Sequence, residues 1–299
     1  MLDFRLNVFI CVAHNLSFSK AANELYITQP AVTKHIKELE SEFEAKLFNR
    51  HGNKIELTKA GILLLSYSEK IQSLHNEVKF ELSRLKGKSK GELRIGASTT
   101  ISQYVIPSAL SKFHERYPDI NLSLVNGNTL QIEKRLLKND IDFGIVEGNP
   151  GNTDIRYYPF LDDELIVFTS SQNKSAPQVV SAKELASLPL VLRERGSGTL
   201  EIIENSLQQY GVNLKSLQVL MYLGSTEAIK SFVKTGSGVG IVSRFAIEHE
   251  LLSGIFRQIN TSNIRFQRQF YFISPQGPEP SGLTKLFVNF LQNYYNLKL

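Results

Sequence analysis

The 299-residue sequence contains a single cysteine, Cys11, and no long hydrophobic run. One cysteine cannot form a disulfide bond within the chain, which excludes a disulfide-rich secreted scaffold and favours a reducing compartment. No apolar stretch reaches the roughly 18 residues that a membrane-spanning helix needs. The apolar stretch Leu6–Ala13 is a poor signal peptide, because Asp3 precedes it and no small-residue cleavage site follows. The sequence therefore predicts a cytoplasmic protein without a membrane partner.

The common enzyme motifs are also missing from the sequence. The six histidines show no HExxH spacing, one cysteine excludes a cysteine-rich zinc site, and there is no GxxxxGK(S/T) loop. The triplet at 196–198 lacks the GxSxG spacing of a hydrolase nucleophile. The glycine-rich segment 236–240 precedes a strand, which reverses the order of a dinucleotide-binding motif. We therefore predict that the protein is not an enzyme and has no catalytic residue, metal site or cofactor.

The sequence has only a small excess of positive charge: it contains 34 Lys and Arg residues and 29 Asp and Glu residues, which gives a net charge of +5. Residues 1–90 hold 14 basic and 10 acidic residues, so +4 of this charge is N-terminal. We interpret the basic cluster at the end of this segment as a solvated linker, with a nucleic-acid patch as the alternative. Hydrophobic residues make up 42% of the chain, which excludes global disorder, and the length predicts about two domains. The basic cluster is Arg84, Lys86, Lys88 and Lys90.

Three helices are predicted at the N-terminus. Apolar residues recur at helical spacing over residues 2–13. Ser17 can cap a second helix over residues 18–25, and Thr28 can cap a third over about 29–43. Because two short helices joined by a tight turn form a helix-turn-helix, the sequence predicts that motif here.

The third helix presents a polar face made of Gln29, Thr33, Lys34 and Lys37. Glutamine can bond adenine through two hydrogen bonds, lysine can reach guanine or phosphate, and threonine can bond a base or touch a thymine methyl group. The alternative is the solvated face of an ordinary helical bundle. Residues 47–57 then predict a β-hairpin wing whose basic side chains hold phosphates. The predicted DNA-binding residues are Thr28, Gln29, Pro30, Thr33, Lys34, Lys37, Arg50 and Lys54.

A long helix is predicted from Thr58 to about Leu85, before Gly87 and Gly91 mark a linker. Its apolar residues are spaced 3, 4, 3, 4, 4 and 3, close to a heptad seam. A lone helix with such a stripe needs a partner, so we expect a homodimer formed through it; packing against its own domain is the alternative. The stripe is Leu64, Tyr67, Ile71, Leu74, Val78, Leu82 and Leu85.

From Glu92 onward, predicted strands alternate with predicted helices, which indicates an α/β sheet with parallel neighbours. There are more elements than one compact sheet requires, so we expect two lobes with a cleft between them. The strands are predicted at 93–97, 120–125, 141–146, 164–169, 190–192, 218–223, 240–242 and 270–273. The first predicted helix carries Val105 and Phe113. The other helices are predicted near 130–138, 182–187, 200–210, 226–235 and 283–294.

Polar residues follow several of these strands. Open α/β sheets bind ligands at the carboxyl ends of their strands, beside helix N-termini with free backbone N–H groups. Converging there, these residues would form a site for an anion; N-capping is the alternative for each one. Arg193 and Arg195 are the cationic candidates. The predicted effector-binding residues are Ser98, Thr99, Thr100, Asn128, Thr129, Arg195, Ser197, Thr199, Ser225 and Thr226.

Five motifs occur in order in the first ninety residues: FSKAA at 18–22, TQPAVT at 28–33, IxxLE at 36–40, LFxR at 47–50 and LTxAG at 57–61. In this dense and ordered set the chain resembles the LysR-type transcriptional regulators. The resemblance implies a winged helix-turn-helix, a dimerising linker helix, a ligand-responsive domain and a tetramer that bends DNA. Many relatives carry Ser and Arg where this chain has Thr33 and Lys34, and lysine lacks the planar fork of arginine, so the base preference of those relatives does not carry over to these two positions.

The rest of the chain resembles the effector-binding domain of the same family, which has the periplasmic-binding-protein fold. In that fold the chain crosses between lobes twice, which we place near Phe160–Asp163 and Arg268–Phe270. The sequences of these segments are similar to those of the CysL-like subgroup. This similarity implies that the effector is a small inorganic anion such as sulfite or sulfate, and it implies a link to sulfur metabolism. The segments are GELRIG at 91–96, GNT at 127–129, DFGIVE at 142–147, GSGT at 196–199 and LGSTEAI at 223–229.

The expected fold is therefore a multidomain α+β chain with a winged helix-turn-helix, a long linker helix and a two-lobed α/β domain. The expected DNA-binding domain is 1–58, the linker 59–90 and the effector-binding domain 91–299, with lobe I at about 91–161 and 269–299 and lobe II at about 162–268. The expected partners are double-stranded operator DNA, a small anionic effector and further copies of the chain, with RNA polymerase as an additional candidate. A solute-binding or effector-sensing protein of the same fold without transcriptional output is the alternative.

Overall fold

A computed structural model describes residues 3–51, 54–85, 90–236, 238–277 and 279–295. The chain divides into two compact units, one within residues 1–88 and the other within 89–299. The turn of the predicted wing at 52–53, and Lys86, Gly87 and Lys88 of the predicted linker, lie outside the described residues.

The N-terminal unit begins with three helices whose starts are set by side-chain caps. Ser17 Oγ accepts a hydrogen bond from the Lys20 backbone N–H, and Thr28 Oγ1 accepts one from the Ala31 N–H. The predicted helix-turn-helix is confirmed. Its apolar faces share one core with the wing. The helices are α1 (Phe4–Asn15), α2 (Phe18–Glu24) and α3 (Gln29–Glu42).

The hairpin and the long helix follow directly. Strands β1 (Phe48–His51) and β2 (Lys54–Leu57) are antiparallel. Helix α4 (Lys59–Leu85) then extends for 27 residues. A Cβ atom at Gly61 would lie 2.2 Å from the Leu47 carbonyl oxygen, so only glycine allows α4 to start this close to the hairpin.

The C-terminal unit alternates strands and helices as predicted. Its strands are β3 (Gly91–Ser98), β4 (Ile120–Gly127), β5 (Phe143–Glu147), β6 (Ile155–Ser170), β7 (Val179–Val180), β8 (Leu190–Arg193), β9 (Val219–Leu223), β10 (Val239–Ser243), β11 (Phe256–Gln258), β12 (Asn260–Thr261) and β13 (Gln267–Pro275). Its helices are α5 (Pro107–Arg116), α6 (Thr129–Leu137), α7 (Ala182–Ala186), α8 (Gly198–Gln208), α9 (Thr226–Thr235), α10 (Arg244–Leu252) and α11 (Gly282–Tyr294).

These strands build two sheets that share β6. The first sheet has the order β4-β3-β5-β13-β6, with β3 parallel to both of its neighbours and β13 antiparallel to both of its own. The second has the order β6-β10-β8-β9, with β11 on the other side of β6. The amino-terminal part of β6 therefore belongs to one lobe and its carboxyl-terminal part to the other.

Three elements of this unit differ from the prediction. The strand predicted at 164–169 is the end of the 16-residue β6, because pairing with β13 extends the strand through a segment whose pattern is broken by Pro159, Asp162 and Asp163. Helix α10 was not predicted; Ser243 ends β10 and caps α10 at once, so no turn residues separate the two elements. The helix predicted around Val105 is a π-helical turn, Ile101–Val105, followed by α5, which starts at Pro107.

Within the described part of the chain, no helix is both long and apolar enough to cross a bilayer.

Candidate functional site

Helix α3 carries an exposed polar surface along its first three turns. Gln29, Lys34 and Lys37 are exposed and Thr33 is half-buried. Gln29 Nε2 donates to Thr33 Oγ1 at 3.2 Å, and the same hydroxyl donates to the Gln29 carbonyl oxygen at 3.1 Å, so the two side chains are held together. The Lys34–Glu38 ion pair is long, at 4.0 Å, and solvated, so it leaves the ammonium group free for another anion. The surface is lined by Gln29, Pro30, Thr33, Lys34, Lys37, Glu38 and Ser41.

The remaining predicted DNA-binding residues lie at the start of α3 and in the hairpin. Thr28 is exposed and caps α3, as its sequence position predicts. Lys54 is exposed at the start of β2. Arg50 lies in β1, where its backbone pairs with Ile55; its side chain is outside what the structure describes.

In the C-terminal unit, the hydroxyl groups at the strand ends converge on a carboxylate of the protein itself. Glu147, the last residue of β5, is only 2% exposed. Ser98 Oγ donates to Glu147 Oε2, while Thr100 Oγ1 and Thr199 Oγ1 donate to Glu147 Oε1 at 3.4 and 3.3 Å. Arg268 Nη1 lies 3.4 Å from the same oxygen. Hydroxyls from both lobes thus surround one buried negative charge.

Arg268 connects Glu147 to a second buried carboxylate. Its Nε donates to Asp163 Oδ2 at 2.7 Å, and its Nη1 donates to Thr199 Oγ1 at 2.9 Å. Ser243 Oγ donates to the other oxygen of Asp163 at 2.8 Å. Burial raises the pKa of Asp163 above its ordinary value, although Arg268 and Ser243 oppose the shift. Since Asp163 and Arg268 lie on β6 and β13, this network sits where the two sheets join.

A polar cavity of about 390 Å³ opens beside this network. Side chains of both lobes form its wall, with α9 beginning at one edge and α6 at another. Thr99 Oγ1 donates to the Gly127 carbonyl oxygen at 3.1 Å, and Asn128 Nδ2 donates to Glu194 Oε1 at 3.1 Å, which bridges the lobes. The lining residues are Thr99, Gln103, Asn126, Gly127, Asn128, Gln131, Glu194, Gly224 and Ser225.

A buried guanidinium group lies one layer behind this wall. Arg193 is 1% exposed, and its Nε and Nη2 donate to the two oxygens of Glu194 at 2.8 and 3.1 Å. Nη2 also donates to Thr99 Oγ1 at 3.3 Å, and Nη1 donates to Thr226 Oγ1 at 3.5 Å. Burial alone raises the pKa of Glu194, but hydrogen bonds and attraction from Arg193, with the Asn128 amide, bring it below its ordinary value.

The predicted effector-binding residues fall into separate places. Thr99, Asn128 and Ser225 line the cavity, and Thr226 contacts Arg193 behind it. Thr129 Oγ1 donates to the Glu147 carbonyl oxygen at 2.7 Å. The other residues are placed as follows: Ser98, Thr100 and Thr199 bind the Glu147 carboxylate, Ser197 is buried and caps α8, and Arg195 is exposed and does not line the cavity.

The carboxylates of this region were not among the predicted site residues. Glu147 stands inside one of the quoted motifs, and Arg268 stands in a predicted crossing segment, but neither was proposed as a site residue. Glu194 lies between the two arginines considered as cationic candidates. The sequence signal that could have identified Glu194 is its position as an acidic residue between two arginines and shortly before a glycine-rich segment.

A second contact joins the lobes through residues that do not line the cavity. Tyr104 OH donates to Glu227 Oε1 on α9. Lys230 Nζ lies 2.8 Å from Glu227 and 2.6 Å from Glu250, and it stands 5.2 Å above the Tyr104 ring. Burial and the Glu227 hydrogen bond both raise the pKa of the Tyr104 hydroxyl, so it remains a donor in this cluster.

Comparison with family models identifies both units. Residues 4–62 match the model described as "Bacterial regulatory helix-turn-helix protein, lysR family", and residues 86–296 match "LysR substrate binding domain". The chain is 30% identical over 295 residues to the HTH-type transcriptional regulator CysL of Bacillus subtilis, covering 98% of each chain. It is 34% identical over 299 residues to a probable RuBisCO transcriptional regulator of Thalassiosira pseudonana, covering 98% of this chain and 97% of the other.

Solved structures show the same architecture. The regulatory domain of Synechocystis PCC6803 CcmR, in complex with 2-PG, aligns with a TM-score of 0.62 at 29% identity, covering 69% of this chain and 97% of that one. Full-length CbnR complexed with its target DNA aligns with a TM-score of 0.63 at 20% identity, covering 97% of this chain and 98% of that one. The second likeness concerns the fold alone.

Proposed function

Since the chain belongs to the LysR family of bacterial helix-turn-helix transcriptional regulators, we propose that α3 reads the bases of an operator and that a small anion bound between the lobes modulates this binding. The observation that carries the DNA-reading part is the exposed surface of Gln29, Thr33, Lys34 and Lys37 at the start of α3. The N-terminal end of a recognition helix is the part that meets base edges in the major groove.

The proposed roles follow from the side-chain chemistry. Gln29, held against Thr33, offers an amide oxygen and an N–H group for the two polar atoms on the edge of adenine. Lys34 and Lys37 reach guanine or phosphate, and Lys54 with Arg50 holds phosphates beside the groove. Thr28 and Pro30 fix the start of the helix, so they position the reading residues.

We propose the domain division 1–58, 59–90 and 91–299 as the functional one. The break between the two compact units near residue 88 supports the last boundary. Within the effector-binding domain, the passage of β6 from one sheet to the other supports a crossing near Phe160–Asp163, and Arg268 on β13 supports the second.

The proposed effector is a small anion in the 390 Å³ cavity. Amide and hydroxyl groups line this cavity, the N-terminus of α9 faces it, and Arg193 lies directly behind its wall. The relatives range in name from CysL to regulators of RuBisCO at 30 to 34% identity, so a link to sulfur metabolism stays a prediction.

The proposed assembly is a homodimer through α4, and two dimers would form the tetramer. The apolar stripe of α4 is exposed along most of its length: Leu74 is 61% exposed and Val78 and Leu82 are 55% exposed. Such a row of apolar side chains is stabilised by pairing with a second copy. Contact with RNA polymerase is a further proposal that rests on the family alone.

Gel-shift titration tests the DNA-reading proposal. Gln29→Ala and Thr33→Ala should each weaken binding to an operator selected from random DNA by about ten-fold or more, because a base contact is worth about 1–3 kcal/mol. Binding to non-specific DNA should change far less. Lys20→Ala, a change on α2 outside the α3 surface, is the control. Equal losses on both kinds of DNA would show that these residues do not read bases.

A further inference from the structure

The buried guanidinium of Arg193 is the charge from which the inference starts. Arg193 ends β8, where the carboxyl edge of the second sheet meets the cavity. All of its described partners are oxygen atoms, two from Glu194 and one each from Thr99 and Thr226. A buried positive charge without an anionic partner is strongly destabilising, so this site requires a negative charge in contact with it.

Glu194 supplies that charge from a position that can be vacated. It forms two parallel hydrogen bonds with Arg193, the geometry that carboxylates and oxyanions share. Unlike Arg193, its side chain is 28% exposed and lines the cavity. Rotation of the Glu194 side chain into solvent would therefore uncover Arg193 without unfolding the strand that carries it.

The donors around Glu194 would remain in place for a replacement anion. Arg193 offers Nε and Nη2, and Asn128 offers the Nδ2 group that now bonds Glu194. Ser225 and the backbone of Gly224 lie on the same wall, at the N-terminus of the ten-residue helix α9. A neutral ligand would leave Arg193 without a counter-charge, so only an anion can replace the carboxylate.

We propose that Glu194 is a built-in competitor of the effector: a small oxyanion or carboxylate binds by displacing the Glu194 side chain from Arg193. This rests on the proposed function of the cavity as an effector site. Glu194 is thus a specificity-determining residue, since it excludes anions that bind Arg193 less well than a bidentate carboxylate does. Displacement also breaks the Asn128–Glu194 bridge between the lobes, which links binding to lobe arrangement.

Calorimetric titration of the full-length protein with inorganic sulfate, inorganic phosphate and acetate tests the proposal. Glu194→Gln keeps the size of the side chain but removes its charge, so at least one anion should bind about ten-fold more tightly than to wild type. Glu194→Asp keeps the charge on a shorter arm and should fall between the two. Glu204→Gln, an exposed change on α8 outside the cavity wall, should bind as wild type does.

Thermal melting supplies a second readout. In anion-free buffer Glu194→Gln should melt below wild type, because Arg193 loses its counter-charge, and added anion should raise its melting temperature more than that of wild type. If an anion binds wild type, Arg193→Lys weakens it and Glu194→Gln leaves it unchanged, the competitor role is wrong and the anion site stands. If none of the three anions binds wild type or Glu194→Gln, both proposals are overturned.

Discussion

Gly198 determines how closely helix α8 approaches the buried carboxylate of Glu147. A Cβ atom at this position would lie 2.2 Å from the Glu147 carbonyl oxygen and 2.7 Å from its Cγ. No rotation of a side chain relieves the first contact, because the carbonyl belongs to strand β5. The glycine therefore lets the Thr199 hydroxyl reach the Glu147 carboxylate.

Gly198→Ala should lower the free energy of unfolding of the effector-binding domain by about 1–3 kcal/mol, the usual cost of overpacking a close contact. Urea denaturation followed by circular dichroism measures it. Gly224→Ala is the matched control, because a Cβ atom there meets no atom within 4 Å. Equal destabilisation by both changes would mean that the close approach is not the cause.

The hydroxyl groups at these strand ends show what local sequence can and cannot predict. Their positions beside strand ends and helix starts follow from neighbouring residues, and Ser197 and Ser225 do cap their helices. The partners of Ser98 and Thr199 do not follow from neighbours, because Glu147 is 49 and 52 residues away in the chain. Spacing predicts the donors, whereas the fold selects the acceptor.

At the scale of elements, helix α4 was the most predictable feature, and β6 the least. The bounds of α4 follow from its own apolar repeat and from Thr58, whose Oγ1 accepts the Gly61 N–H. The length of β6 depends on β13, which is about a hundred residues further along the sequence. Helical periodicity is a property of one segment, but strand length is a property of a pair.

The exposed stripe of α4 leads to a prediction about assembly. Leu74→Glu combined with Leu82→Glu places charges on the stripe and should break the α4 contact and so lower the mass of the assembly, because an apolar seam does not accommodate unpaired charge. Analytical ultracentrifugation measures the mass. Leu252→Glu, on the exposed part of α10 at 82% exposure, is the matched control. A double variant that keeps the wild-type mass would place the dimer contact elsewhere.

At the scale of the whole molecule, the charge is divided between the two units. The first ninety residues hold 14 basic and 10 acidic residues, whereas the other 209 residues hold 20 basic and 19 acidic residues, so they contribute only +1 to the net charge of +5. The excess positive charge therefore lies in the N-terminal unit, where we propose the DNA contacts, whereas the proposed anion site lies in the C-terminal one. Regulation then requires that a change in one unit alters the free energy of binding in the other.

Such coupling has a thermodynamic consequence that holds whatever path carries it. If an anion changes the affinity for operator DNA by some factor, operator DNA must change the affinity for the anion by the same factor. We expect a factor of about 5–150, the range of ordinary allosteric couplings. Calorimetry of the anion with and without operator duplex gives one factor, and DNA titration with and without the anion gives the other.

Ionic strength must be equal in all four titrations, since added salt alone weakens phosphate contacts. Glu194→Gln provides the internal control. Its anion titration should reach the midpoint at a lower anion concentration than that of wild type. At saturating anion, the factor by which DNA affinity changes should equal that of wild type if displacement of Glu or of Gln at position 194 releases the same contact between the lobes. Two unequal factors would mean that the anion acts on DNA binding at a site other than the one that calorimetry detects. A shared factor of one would mean that this anion binds without regulating.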